Sequence, residues 1–527
     1  MGGNGIDTLP VDYSDIQGIV RFGYGPLTEA CFLLLDIRDA PAARSWLSTA
    51  PVATAVELAE PPKTALQVAF TREGLQALGV ADDVIAGFSD EFLSGMSGQE
   101  SRSRRLGDIG ANSPQYWRWG GAGKVPHVLV MLYAQPGRLE AWRQTIQAAP
   151  WDAAFEVLDC LPTSNLFGAE PFGFKDGVSQ PTLDWKRQRA PHGDQLEYGN
   201  LLTLGEFLLG YPNEYGKYTH RPLLGSDTPA SSVLPFAEDA SDKRDLGRNG
   251  AYIVVRQLQQ DVRGFWRFLD RQADSDPQAR QALAESLVGR RANGDPLLPI
   301  SAQPIEGIYP KNAEQNQFVY DSDSDGVRCP FGAHIRRANP RNADLPPGST
   351  GLFRRLLHTL GFGNPKLRDD VVASTRFHRL LRRGREYGPA LTAQEAVADL
   401  PETGEHGIHF ICIVANILRQ FEFVQNAWVM GTKFDAMTEE SDPLLGNREA
   451  VPGCPFTNTF SIPQQAGLPI RILDVPQFVT VRGGAYFFLP SLSALRYLTA
   501  PGARPHGIPS SSNDQDNQPE QTPPALN

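Results

Sequence analysis

Four short apolar runs, spaced along the early part of the chain, limit what it can fold into. They are 30–37 (ACFLLLDI), 64–70 (TALQVAF), 127–134 (HVLVMLYA) and 154–161 (AFEVLDCL). Each has the length of a strand rather than of a core helix or a membrane span. Between them lie helical stretches: 39–49, a helix after Thr71 whose hydroxyl suits an N-cap, and one from Pro136 to about 149. The resulting order, β-α-β-α-β-α-β, is that of a ferredoxin-like sheet with helices on one face.

The second half repeats the scheme more loosely. A strand at 251–258 precedes a helix at 261–273 with Phe265, Phe268 and Leu269 on one face. A strand at 407–416 runs into an apolar helix at 417–429. The stretch 478–490 predicts two strands around a glycine kink, followed by the helix SLSALRYL. The pattern predicts an α+β protein of two ferredoxin-like domains, antiparallel sheets with peripheral helices, over 11–240 and 241–500. The first includes a Gly- and Pro-rich linker at about 185–245. An insertion with a short basic helix is expected at 342–372. The tail 501–527 is poor in apolar residues and is expected to be disordered.

Composition narrows the function classes. The 49 basic and 60 acidic residues leave a net charge of −11, which argues against nucleic acid as the main partner. No window of 18 apolar residues occurs, so no membrane span is expected. The N-terminal MGGNGIDTLPVDY has neither the apolar core of a signal peptide nor a myristoylation pattern. Five cysteines stand far apart, with no CxxC, which fits reduced thiols and a cytoplasmic location.

One stretch carries metal chemistry. In RCPFGAHIRRANPR (328–341), His334 stands among Arg328, Arg336, Arg337 and Arg341. Nearby positive charge disfavours imidazolium, and a neutral imidazole is what a metal ligand must be. Guanidinium groups suit carboxylates and phosphates. An anionic cofactor that carries both a metal and carboxylates, such as heme, would use both features. Three other motifs fail on inspection. DSDSDG (321–326) opens like a calcium loop, but Gly332 stands where the bidentate Glu belongs. GGAGK (120–124) lacks the first glycine and the Ser or Thr of a phosphate loop. The histidines of HGIH (406–409) point to opposite faces of a strand.

GFKDGVSQP (173–181) holds Asp176 on a loop that Gly173 and Gly177 can bend tightly, and RFHRLLRRGREYG (376–388) supplies Arg382, Arg383 and Tyr387. In this order, GFKDG, CPFGAHIRRANPR and LLRRGREYG resemble the dye-decolorizing peroxidases. DIQG (15–18), GEFLLGYPNEYG, DLGRNGAYIVVR and RGGAYFFLP are similar to that family's flanking segments, and chain length and insertion resemble its longer, fungal-like branch.

The resemblance implies one heme b per chain, held mainly by the second domain, with His334 as the axial ligand of the iron. Asp176 would be the distal acid and Arg382 the distal arginine. Arg336 and Arg341 would meet the propionates, and Ile408 and Phe410 would line the distal pocket. Asp474 resembles the family's acceptor for the proximal histidine, with Asp442 and Glu422 as alternatives. Tyr387 resembles a radical relay, with a purely structural tyrosine as the other reading. The implied activity is reduction of hydrogen peroxide and oxidation of dyes, phenols or other organic reductants through a ferryl–porphyrin radical, in a monomer or homo-oligomer. The alternative is a non-catalytic heme-binding or iron-handling protein.

Overall fold

The computed structural model describes residues 10–189, 198–226, 229–308, 313–342, 375–401, 404–451 and 453–500. The tail, and all of the expected 342–372 insertion except Asn342, lie outside the described residues.

The four early runs become strands β1 (Glu29–Ile37), β2 (Thr64–Phe70), β3 (Val128–Ala134) and β4 (Phe155–Pro162). Helix α1 (Ala40–Thr49) follows β1, and α2 (Arg72–Ala77) follows β2. Helix α3 (Leu139–Ile146) follows β3. Asp39 caps α1 and Thr71 caps α2, each by accepting an N–H of the first turn. The later strands are β5 (Ala251–Gln260), β6 (Leu381–Arg382), β7 (Arg385–Tyr387), β8 (Gly407–Val414) and β9 (Val479–Leu489). Helices α4 (Val262–Gln272) and α5 (Pro277–Val288) follow β5, α6 is the short His334–Ala338, and α7 is Leu492–Thr499.

Both sets of strands join one nine-stranded sheet in the order β6-β8-β5-β9-β2-β3-β1-β4, with β7 also on β8. The seam between the halves is narrow: β9 meets β2 through the pair Phe488 and Phe70 alone. Phe88 packs against Phe488 there, with ring centres 4.8 Å apart. Both sheet faces are covered. In β1, Cys31, Leu33 and Leu35 face the layer containing α1, whereas Phe32 and Leu34 belong to a second core that includes Leu204, Phe207 and Leu208. That double burial is why β1 reads as a continuous apolar run and not as an alternating one. Truncating one of its buried leucines to Ala would cost about 2–5 kcal/mol.

The stretch 478–490 is one strand, not two. Its register shifts between Val481 and Gly483, so the glycines mark a bulge. A Cβ at Gly483 would lie 2.5 Å from the Trp119 ring, so only glycine lets that indole lie against the strand. The apolar helix expected at 417–429 forms, but Leu418–Glu422 and Val424–Val429 are wound wider, as π-helix. No described helix is long and apolar enough to cross a membrane.

Candidate active site

A cavity of about 290 Å³ lies between the C-terminal half of the sheet and the segments carrying α5 and α6. Ile408 and Phe410 line it from β8, opposite Leu258 and Arg256 of β5, which line it as well. Two-residue periodicity on a pleated strand brings these side chains to one face.

Asp176 reaches this cavity from a loop closed by the bridge between Ala169 and Lys175. Gly173 and Gly177 both have positive φ, 96° and 72°, as the tight bend requires. The Glu170 carboxylate fastens the loop. It accepts the N–H groups of Phe172 and Phe174, each at 3.0 Å, and the amide of Gln260 at 2.7 Å. Burial pushes the Glu170 carboxyl up to about 7, despite these donors.

Asp176 Oδ1 stands 3.5 Å from Arg382 Nη1, with both side chains about one-third exposed (38% and 35%). Arg382 is positioned by the chain just beyond the same loop. Its N–H donates to Gln180 Oε1 at 3.0 Å, and its Nη2 donates to the Ser179 carbonyl at 3.3 Å. The acid and the guanidinium are thus built from one local framework, although 206 positions separate them in the chain (382 − 176).

His334 opens α6 and lines the cavity. Its Nδ1 pairs with Asp442 Oδ2 at 2.9 Å, and Asp442 is fully buried. The other oxygen of Asp442 accepts the N–H groups of Leu444 and Leu445, both at 2.9 Å. A carboxylate held this way fixes the imidazole orientation and leaves Nε2 for the cavity. Desolvation would lower the His334 pKa, but the Asp442 charge and hydrogen bond outweigh it and hold it above the ordinary value. The Asp442 carboxyl is held low: burial opposes ionisation, and His334 and the backbone donors overcome it.

That outcome corrects two expectations. Asp474 is not the acceptor for His334; it is exposed and receives the Asn458 amide at 3.3 Å. Glu422 is engaged by Arg102 at 2.8 Å and by the Tyr486 hydroxyl at 2.9 Å. The arginines around His334 do not drive it neutral either, because most of them turn away. Arg336 is buried against Asp323 and the Cys329 carbonyl, between the rings of Tyr320 and Phe331, and does not line the cavity. Arg337 donates to the carbonyls of Trp428, Gly431 and Glu440, and Arg328 is exposed. Arg341 does line the cavity and stacks on Phe318 at 3.7 Å.

Two further arginines complete this cationic rim, and sequence reading missed both: Arg290 and Arg379. Arg290 donates to the carbonyls of Gly294 and Gln315, and Arg379 to the hydroxyl of Tyr198 and the Asn200 side chain. None of Arg290, Arg341 and Arg379 has a carboxylate within ion-pair distance among the described residues. Burial and the charge of Arg341 push Arg290 down to about 10. Unpaired buried guanidinium groups are costly, and an anion in the cavity would relieve that cost. The donor set fits heme: an oriented imidazole for the iron, cations for two propionates, and apolar walls for the ring. No cluster of three or more His, Cys, Asp or Glu suited to a bare metal ion occurs among the described residues.

Tyr387 lies behind this wall. It pairs with Gly407 on β8, and its ring stacks on His409 at 4.5 Å, on the face opposite Ile408 and Phe410. It is 7% exposed, and its hydroxyl donates to Glu405 Oε1 at 2.9 Å.

No family model matches the chain. It is 29% identical to dye-decolorizing peroxidase msp1 of Mycetinis scorodonius over 513 residues, covering 92% of this chain and 87% of that one. A crystal structure of a decolorizing peroxidase from Auricularia auricula-judae superposes with a TM-score of 0.67 at 24% identity, over 93% of this chain and all of the other. A dye-decolorizing peroxidase in complex with 2,6-dimethoxyphenol gives the same TM-score at 22% identity, over the same shares. Over 92% of its length the chain is similar in sequence to dye-decolorizing peroxidase msp1, and its fold is that of the solved dye-decolorizing peroxidases.

Proposed function

We propose that the chain is a heme peroxidase that reduces hydrogen peroxide and oxidises dyes, phenols or other organic reductants. The observation that carries this reading is the meeting of Asp176 and Arg382 at 3.5 Å in the cavity that His334 also lines. A heme carrier or sensor needs an axial histidine and a cationic rim, but neither of these two residues.

In this reading His334 holds the iron, and Asp442 orients its ring and raises its basicity. Arg290, Arg341 and Arg379 hold the propionates, while Ile408 and Phe410 form part of the apolar wall. A heme bound there would supply the redox chemistry of the peroxide reaction. Asp176, when ionised, accepts the proton of the inner peroxide oxygen and returns it to the outer one. Arg382 keeps its charge throughout and stabilises the negative charge growing on the departing oxygen. The Asp176 carboxylate, more than one-third exposed, has room for this exchange, whereas the buried Asp442 has none. Tyr387, with Glu405 at hand for its phenolic proton, is the relay we assign to substrates too large for the cavity.

We also divide the chain into ferredoxin-like domains at 11–240 and 241–500, a division supported by the one-pair seam between β9 and β2. Five unpaired thiols support a reducing, cytoplasmic location. The test is peroxide-dependent oxidation of guaiacol by the heme-loaded protein. Turnover should fall in Asp176→Ala and Arg382→Leu, which should still bind heme. Heme binding without any turnover in the wild type would favour the carrier reading.

A further inference from the structure

A second acid–guanidinium pair faces the same cavity. Asp108 and Arg256 form an ion pair between side chains that are 1% and 3% exposed, and both line the cavity. Neither residue is saturated. Arg256 Nε and Nη1 are buried without an acceptor, and Asp108 Oδ2 is buried without a donor. Unmet donors and an unmet acceptor side by side, in an interior where most polar groups are satisfied, suit an occupant offering both functions, a water or a ligand hydroxyl that displaces it.

The surroundings narrow its chemistry. Phe421 lies under the Arg256 guanidinium, and Leu106, Phe410 and Val481 contribute apolar surface to the cavity. A charged ligand would meet an ion pair that is already neutral overall, and a purely apolar one would leave the polar atoms unmet. A small aromatic with one hydroxyl satisfies both demands, its oxygen accepting from Arg256 and its O–H donating to Asp108. Burial raises the Asp108 carboxyl to about 6 even beside Arg256, so near neutral pH it is ionised and able to accept that bond.

The pair also has an outside. Asp108 borders a surface cleft lined by Ser103, Gly110, Ala111, Ser113 and Tyr116, and Tyr116 is 60% exposed. Asp108 thus lines both the cavity and the cleft, on a segment that carries glycines of positive φ at Gly107 and Gly110.

We propose that Asp108 and Arg256 form a substrate subsite, separate from the Asp176–Arg382 pair, that binds the hydroxyl of a small phenolic reductant entering from the cleft beside Tyr116. The reading rests on the peroxidase function proposed above. On the strand β5, Arg256 lies across from Phe410, the residue two positions from Cys412, which pairs with Arg382. The two pairs are therefore neighbours on one sheet face, two strands apart across the sheet and two residues apart along β8. A phenol at one leaves peroxide access to the other.

The probe is guaiacol, titrated calorimetrically into heme-loaded protein while the Soret band is recorded. Asp108→Asn removes the charged acceptor, and the dissociation constant should rise about tenfold or more, the scale of one charge-assisted hydrogen bond. The Soret band should not change. Should Asp108→Asn fail to fold, Ala111→Trp at the exposed mouth of the cleft is the second variant, with guaiacol association, followed by stopped flow, slowed about tenfold. An intact Soret band with a wild-type dissociation constant in Asp108→Asn, or with a wild-type association rate in Ala111→Trp, overturns the subsite. A wild-type protein that shows no Soret band at all indicts the heme reading instead.

Discussion

Two aspartates serve the cavity, and they are held in opposite ways. Asp442 is fully buried, and three donors fix its two oxygens: His334 and the N–H groups of Leu444 and Leu445. Asp176 is more than one-third exposed, and its partner Arg382 stands at 3.5 Å. Burial with full hydrogen bonding keeps a carboxylate ionised and immobile, which suits a group that orients a ligand. Partial exposure with a looser cation leaves a carboxylate free to take up and release a proton. In the proposed function, the environment of each aspartate, rather than its residue type, separates the orienting role from the proton-carrying one.

The largest expected effect lies on the buried side. His334→Ala should abolish stable heme retention, read as loss of the Soret band after gel filtration. Retention of an unchanged spectrum in that variant, with loss in His378→Ala, would break the assignment.

Next in size is the open side. Removing one transition-state electrostatic contact costs about 10²–10³ in rate. Arg382→Leu should therefore slow the single-turnover reaction with peroxide by that amount. Asp176→Ala should slow it no more than Arg382→Leu does, because water can relay a proton but cannot replace a fixed cation. A normal rate in the arginine variant would erase the functional contrast between the two aspartates.

Asp442→Asn sharpens the contrast from the other direction. Loss of a partner to a metal-bound imidazole typically costs about 10–100-fold in metal affinity or activity. Heme release to apomyoglobin should accelerate within that range, while Asp474→Asn should leave it unchanged.

Much of this arrangement was legible in the sequence. His334, Asp176 and Arg382 each sit in a compact local motif with glycine or arginine neighbours, and the structure brings all three to one cavity. Ile408 and Phe410 followed from strand periodicity. The acceptor for His334 did not, because Asp442 lies 108 residues away and nothing local distinguishes it from Asp474. Arg336 misled for a related reason. Neighbouring arginines on a short helix point in different directions, and buried carbonyls or Asp323 took most of them. Arg290, Arg379 and the Asp108–Arg256 pair stayed invisible because each acquires meaning only from partners far along the chain. Tyr387 was placed near the site, but the strand puts its ring on the far face, against His409.

A smaller effect concerns Glu170, which fastens the Asp176 loop. Its carboxyl is raised to about 7 in the fold, against about 4.3 in an unfolded chain. The folded state therefore binds more protons between those values, and this group's contribution to stability is lost as pH rises from about 4 through about 7. In heme-free protein, thermal stability of the wild type relative to Glu170→Gln should decline across that window. A constant difference would mean that the Glu170 carboxyl is not raised.

The smallest effect is expected at Tyr387. Tyr387→Phe should slow oxidation of bulky dyes while leaving the reaction with peroxide, and with guaiacol, nearly intact. Equal losses for large and small substrates would make Tyr387 a structural support for β8.

The most direct test of the whole account is a titration of heme-loaded protein with hydrogen peroxide, followed in the Soret region and repeated for Arg382→Leu. The account predicts a complete spectral change at one equivalent of peroxide, reversed by two electron equivalents from ascorbate, and a much slower change in the variant. A Soret band that stays unchanged at one equivalent in the wild type, or equal rates in the two proteins, would contradict it.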